Sequence, residues 1–187
     1  MKLIDNINQK LGDELEKTIG RGSKISIAAV SFSIFAYEEL KKELQKIDEL
    51  RFIFTSPTFL KEKTPKEKRE FYIPQLNRER SLYGTEFEVR LRNELSQKAI
   101  ARECAEWIRQ RVRFKTNTTH DQMGGFIHLR QEEEMAYAPV NGFTTVDLGK
   151  EKGNQMFSLI NRIAAPLSAQ YLEVFNELWE DEERMQE

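Results

Sequence analysis

Residues 24–32, KISIAAVSF, constrain the fold more than any other segment, because they are apolar almost throughout and rich in β-branched side chains. A strand of this composition needs apolar neighbours on both of its faces, so it belongs near the middle of a covered sheet. Residues 35–47 follow with apolar side chains at helical spacing, and residues 51–55 form a second apolar run of strand length. Strand, helix and strand in this order predict a right-handed crossover and a parallel pair.

The remaining segments add further helices and strands to this unit. Residues 93–111 carry the most regular helical pattern and lead directly into a strand at residues 112–115. Apolar residues recur every four positions from Leu3 to Ile19, which predicts a first helix, and residues 156–163 together with the segment after Pro166 are predicted to be helical as well. We therefore expect an α/β fold in which helices flank a mixed, mostly parallel sheet.

Length and composition favour one globular domain. A chain of 187 residues with 39% apolar and 32% charged side chains can bury a substantial core and is unlike a disordered segment. The only cysteine, Cys104, excludes an internal disulfide framework. No apolar stretch reaches the length that a bilayer requires, and the first residues lack the apolar centre of a signal peptide. These features predict a cytoplasmic protein that makes no use of a membrane.

The charges are unevenly distributed although the net charge is only −2. Lys and Arg outnumber Asp and Glu in residues 61–115, whereas acidic side chains dominate residues 170–187. Within the basic segment, Arg78 and Arg80 lie between aromatic residues, a combination that suits nucleic acid backbones and stacked bases. Glutamates are interleaved with them, so the same segment also suits a packed, salt-bridged excursion. Both interpretations remain open.

Residues 124–149 contain the strongest candidate for a functional site. His128 and Arg130 are two positions apart in an extended segment and therefore point to the same face of a sheet. The next predicted strand ends near Asn141, and Thr144 follows shortly after it. Between the two strands, residues 131–134 include three consecutive glutamates, which are typical of a solvated hairpin turn rather than of a metal site.

This stretch resembles the motif of the phospholipase D superfamily, in which His-x-Lys-x-x-x-x-Asp precedes Gly-Ser-x-Asn and Phe-Thr. The family histidine corresponds to His128 and the lysine to Arg130, but the acidic position is occupied by Met135. Asn141 is the nearest polar equivalent of the family asparagine, and residues 143–144 match Phe-Thr. In that family the histidine attacks a phosphodiester and the lysines hold phosphate oxygens.

Further segments are similar to the phospholipase D-like domain at the N-terminus of some bacterial superfamily-two helicases of the DEAD/DEAH type. They are residues 50–59, LRFIFTSPTF, residues 69–109, and residues 174–183, VFNELWEDEE. The resemblance implies a phospholipase D-like α/β/α sandwich that occupies residues 1–187 as a single domain. It also implies helicase ATPase domains in cis, which would bind ATP and Mg. No GxxxxGK[ST] or GxGxxG motif occurs in the chain itself.

The resemblance predicts an accessory domain that holds the DNA or RNA backbone and has lost catalysis, because Met135 cannot orient the histidine. His128 is the candidate catalytic residue, and the predicted phosphate ligands are Arg130, Asn141, Thr144, Arg78 and Arg80. No metal or other cofactor is expected in this domain. Two alternatives remain. One is a metal-independent nuclease whose homodimer brings two copies of His128 together. The other is a protein-interaction or dimerisation module.

Overall fold

In a computed structural model of the chain, residues 2–56 and 94–187 are described. The basic, aromatic segment with Arg78 and Arg80 lies outside these residues. The described residues form β1 (Lys2–Ile4), α1 (Leu11–Thr18), β2 (Lys24–Ala29), α2 (Ile34–Glu39), α3 (Lys41–Leu44), β3 (Glu49–Phe54), α4 (Glu94–Arg111), β4 (Val112–Asn117), β5 (Phe126–Arg130), β6 (Met135–Ala138), β7 (Ile160–Ala164), α5 (Ser168–Trp179) and β8 (Met185–Gln186).

The strands form one open sheet in the order β1-β7-β6-β5-β2-β3-β4-β8. β3 pairs in parallel with β2 and with β4, so the predicted mixed α/β class and the predicted parallel pair are confirmed. The expectation of a mostly parallel sheet is wrong, because the other five pairings are antiparallel. Only residues 131–134 separate β5 from β6, which is too short a connection for a parallel crossover.

Two predicted helical segments form strands at one edge of the sheet instead. The first helix begins only at Leu11, because the Asp5 carboxylate accepts hydrogen bonds from the backbone N–H groups of Ile7, Asn8 and Gln9 and closes a turn there. The preceding residues pair as β1 with β7. Much of the second segment, predicted to be helical at residues 156–163, belongs to β7, whose hydrogen-bond partners on both sides are remote in sequence.

One face of the sheet packs against α1, α2, α3 and α4, and we call it the α1–α4 face. Alternate residues of the central strands, such as Ile27, Phe52 and Leu129, are buried there together with apolar helix residues. Phe32, just beyond β2, is fully buried, and its ring lies 5.6 Å from Phe52 and 5.6 Å from Phe143 between centroids. This face holds the main hydrophobic core.

The opposite face packs against α5, and we call it the α5 face. A smaller apolar cluster joins sheet and helix here, and it consists of Ala28, Ile53, Phe126, Phe175, Trp179 and Met185. Its sheet residues alternate along the strands with those of the main core, as the two-residue period of a strand requires. The apolar cluster covers only part of the face, and polar side chains occupy the remainder. No helix in the described part of the chain combines the length and the apolar character that a membrane span needs.

Candidate functional site

The polar part of the α5 face is built by the pairing register of three strands. On β5, His128 and Arg130 point to the same face, as predicted. The antiparallel register with β2 places Ser26 opposite His128 and Lys24 opposite Arg130. The parallel register with β3 then places Arg51 beside Ser26. Polar and charged residues from three strands therefore converge although they are distant in sequence.

These residues surround a cavity of about 230 Å³ between the sheet and α5. We call this cavity the His128 pocket. The sheet contributes Lys24, Ile25, Ser26, Glu49, Arg51, His128 and Arg130, and α5 contributes Leu172 and Asn176. Lys24 and Arg130 are exposed, whereas Ser26 and His128 are buried. The pocket thus has a charged mouth and a polar floor.

His128 lies at the floor and is fully buried. Its Nε2 lies 2.6 Å from Oε1 of Glu134, while its Nδ1 is buried and finds no hydrogen-bond partner within the described ranges. Burial lowers the pKa of His128 below its ordinary value of 6.5, and the neighbouring Glu134 carboxylate opposes this effect. In the neutral imidazole that burial favours, Nε2 donates a proton to the carboxylate and Nδ1 holds a lone pair.

Glu134 corrects two expectations about the acidic partner of His128. The three glutamates were expected to form a solvated turn, and Glu132 and Glu133 are indeed exposed, but Glu134 turns inward to the histidine. Met135, which occupies the acidic position of the motif, pairs with Leu129 and belongs to the core on the α1–α4 face. A carboxylate therefore orients His128, supplied by the residue immediately before the motif position.

Arg51 forms one wall of the pocket and is held in place from several sides. Its guanidinium donates to Oδ1 of Asn176 at 2.8 Å and to Oγ of Ser26 at 3.2 Å. It also lies 4.9 Å from the ring centroid of Phe175 and 3.7 Å from the carboxylate of Glu49. Burial lowers the pKa of Arg51, but an arginine remains protonated at neutral pH in proteins. Arg51 is a fixed positive charge that is already partly compensated.

Lys24 and Arg130 lie at the mouth of the pocket, and their charges are less compensated than that of Arg51. They occupy directly opposite positions on β2 and β5, where like charges are unfavourable. Within residues 2–56 and 94–187, neither side chain forms an ion pair or a hydrogen bond. Two cations without an ion pair therefore face the same opening, beside the Glu49 carboxylate that lies opposite Lys24 on β3. The combination of these cations with Arg51 and the Ser26 hydroxyl suits an oxyanion such as phosphate.

The other predicted site residues lie elsewhere. The backbone oxygen of Asn141 accepts a hydrogen bond from Val30, beyond the end of β2 that is remote from the mouth, and the Asn141 side chain is exposed. Thr144 is buried and donates from Oγ1 to Asp147 at 2.6 Å, which holds the loop together. Neither residue lines the His128 pocket. Arg78 and Arg80 lie outside the described residues, so their prediction stands as it was.

Sequence reasoning missed the contribution of β2 and β3 to this site. Residues 24–32 were interpreted as a strand buried on both faces, and Lys24 and Ser26 received no role. A signal existed, because Lys24 and Ser26 are polar residues two positions apart, and Arg51 is a charged residue inside an apolar strand. Only the register of the sheet shows that these positions meet His128.

The described residues contain no group of three or more His, Cys, Asp or Glu side chains that could hold a metal ion. No protein-family model and no curated protein sequence matches the chain. Function is therefore inferred from the geometry of the His128 pocket.

Proposed function

We propose that this domain binds phosphate groups of DNA or RNA in the His128 pocket, as an accessory domain of a helicase. The observation that carries the proposal is the pair of cations Lys24 and Arg130, which form no ion pair in the described parts of the chain and lie at the mouth of a cavity whose wall is Arg51. In the phospholipase D superfamily, which residues 124–149 resemble, the corresponding strand faces a phosphate. The proposal includes the phospholipase D-like sandwich, a cytoplasmic location, and ATPase domains in cis that bind ATP and Mg.

The contacts and burial of His128 favour binding without catalysis. A nucleophilic histidine must bring a nitrogen to phosphorus, whereas Nε2 of His128 is engaged by Glu134 and Nδ1 is buried. The cations at the mouth need no such rearrangement, because Lys24 and Arg130 are already exposed. The pocket can therefore hold an oxyanion in the conformation described here.

The test measures binding of fluorescent single- and double-stranded oligonucleotides to the purified domain in EDTA. Fluorescence anisotropy reports the binding at a range of salt concentrations. We expect affinity to fall as salt rises, and Lys24→Gln or Arg130→Gln to weaken binding about tenfold through loss of a charge-assisted contact. The matched control is Lys42→Gln, because Lys42 is an exposed lysine on α3, which packs on the other face. Equal affinities of the wild type and the three variants would show that the His128 pocket is not the binding surface.

A second candidate function is favoured by the contact between His128 and Glu134. A carboxylate that orients a histidine is what a metal-independent phosphodiesterase of this kind requires, but the buried Nδ1 of His128 would have to become accessible to attack phosphorus, and a homodimer would supply the second histidine as general acid. The same oligonucleotides, incubated in EDTA, should then be hydrolysed, and His128→Ala should abolish the cleavage. Intact strands at high protein concentration would exclude this function and leave phosphate binding alone. A domain that neither binds nor cleaves would favour the protein-interaction module.

A further inference from the structure

The His128 pocket is closed at its inner end. On each of the three strands, the next residue along the α5 face belongs to the apolar cluster: Ala28 follows Ser26, Ile53 follows Arg51, and Phe126 lies beyond His128. Phe175 of α5 packs against the same residues. The cavity therefore ends against an apolar wall and does not continue as a groove along the sheet.

The two sides of the pocket are also occupied. On one side Arg51 reaches from the sheet to Asn176 of α5 through a hydrogen bond of 2.8 Å. On the other side the beginning of α5 meets the β5–β6 turn, where the Ser168 hydroxyl donates to the backbone oxygen of Glu134 at 3.3 Å. Sheet and helix are thus bridged on both flanks. Among the described residues, the end of the pocket that no such contact bridges is the one marked by Lys24 and Arg130.

A blind pocket distinguishes between two forms of nucleic acid phosphate. An internal phosphodiester carries a nucleoside on each side, and both would have to leave through the same mouth. A terminal phosphate carries the chain on one side only, so it can enter a closed pocket while the strand extends into solvent. The shape of the His128 pocket therefore favours a strand end.

The charges at the mouth favour the same ligand. A phosphomonoester carries about two negative charges at pH 7, since its second pKa is about 6, whereas an internal phosphodiester carries one. Lys24, Arg51 and Arg130 supply three positive charges around the pocket, and the Glu49 carboxylate, which lies opposite Lys24 on β3, offsets one of them. The balance of two positive charges that remains around the pocket equals the charge of a terminal phosphate.

We infer that the His128 pocket recognises the terminal phosphomonoester of a nucleic acid strand. This inference rests on the proposed phosphate binding and specifies its ligand. Lys24 and Arg130 contact the phosphate oxygens at the mouth, and Arg51 with the Ser26 hydroxyl completes the wall toward the floor. His128 and Glu134 hold the floor of the pocket and fix the positions of the β-strands. They do not contact the nucleic acid beyond its terminal phosphate.

The test compares four single-stranded probes of identical sequence and length: a 5′-phosphorylated, a 3′-phosphorylated and an unphosphorylated linear form, and a circular form. We expect one of the phosphorylated linear probes to bind about tenfold more tightly than the unphosphorylated one, which corresponds to one additional charge-assisted contact. In Lys24→Gln and Arg130→Gln this preference should disappear, so that the phosphorylated and unphosphorylated linear probes bind equally well. Lys42→Gln should retain the preference.

The outcomes separate this inference from the proposed function. Equal affinity for all four probes, sensitive to Lys24→Gln, would overturn recognition of strand ends and leave backbone binding intact. No binding of any probe would overturn both. Competition with inorganic phosphate and with a nucleoside monophosphate distinguishes the source of the anion. If inorganic phosphate alone binds as tightly as the phosphorylated strand, the pocket is a site for free phosphate and the inference fails.

Discussion

The two faces of the central sheet are made by the same strands and differ in the side chains that they carry. On the α1–α4 face the inward residues of the central strands β2, β3 and β5 are apolar and buried under the helices. On the α5 face the apolar cluster occupies one end, and the other end carries Lys24, Ser26, Arg51, His128 and Arg130. Because successive residues of a strand alternate between faces, the polar face could acquire a site without loss of the main core.

The largest effect is expected on the α1–α4 face. Phe32→Ala removes a fully buried ring that packs against Phe52, Phe114 and Phe143, and it leaves a cavity that its neighbours cannot fill. We expect the free energy of unfolding to fall by about 3–5 kcal/mol, as measured by denaturant titration.

Phe157→Ala is the matched control for Phe32→Ala, since Phe157 is 55% exposed. It should change stability by no more than about 0.5 kcal/mol. If both substitutions cost the same, the packing ascribed to the α1–α4 face is incorrect.

A smaller but still clear effect is expected at the floor of the His128 pocket. Glu134→Ala removes the carboxylate that pairs with Nε2 of His128 and leaves a buried polar group without this partner. Such a loss costs about 1–3 kcal/mol, to be measured by the same titration. Glu133→Ala, which removes an exposed carboxylate from the same turn, should be nearly neutral. A neutral Glu134→Ala would mean that the pair does not hold the floor.

The buried histidine also predicts a dependence of stability on pH. Because burial lowers the pKa of His128 in the folded state, the unfolded chain binds more protons once the pH falls below about 6.5. Stability should therefore decrease as the pH is lowered through 6.5 toward the folded-state pKa, and His128→Gln should show a weaker decrease between pH 7.5 and 5.5. Glu134→Gln should lower the pKa of His128 further, since the carboxylate raises it, and NMR titration measures this directly. Identical pH profiles for the wild type and His128→Gln would contradict the prediction.

The sequence predicted the central strands and helices of the fold better than the strands at one edge of the sheet. Periodicity located β2, α4 and the crossover to β3, because long apolar patterns reflect burial directly. It failed at β1 and β7, which are strands only because each pairs with a segment remote in sequence. Apolar residues in such short segments fit a helical stripe as well as an edge strand, and the turn made by Asp5 decided between them.

For the site, the sequence predicted that His128 and Arg130 share a face, since that follows from local geometry alone. It could not predict Lys24 and Arg51 as neighbours, because the register between β2, β3 and β5 is a property of the whole sheet. It also aligned the acidic position of the resembled motif with Met135, and it could not show that the neighbouring Glu134 contacts His128. Counting positions in a sequence does not show which glutamate of a turn points inward to the histidine.

The smallest expected change in stability is also the most informative about the two faces. Arg130→Glu places a carboxylate directly opposite Lys24 and replaces a like-charged pair by an ion pair. We expect stability to rise by about 0.2–1 kcal/mol, because an opposite-charge cross-strand pair is favourable and both side chains are exposed. Binding of phosphorylated oligonucleotides should be abolished in the same variant. A protein that becomes more stable as it loses its ligand identifies Lys24 and Arg130 as residues kept for binding. A loss of more than about 1 kcal/mol would instead show that Arg130 supports the fold, since substitutions at exposed positions without such a role stay within about 0.5 kcal/mol.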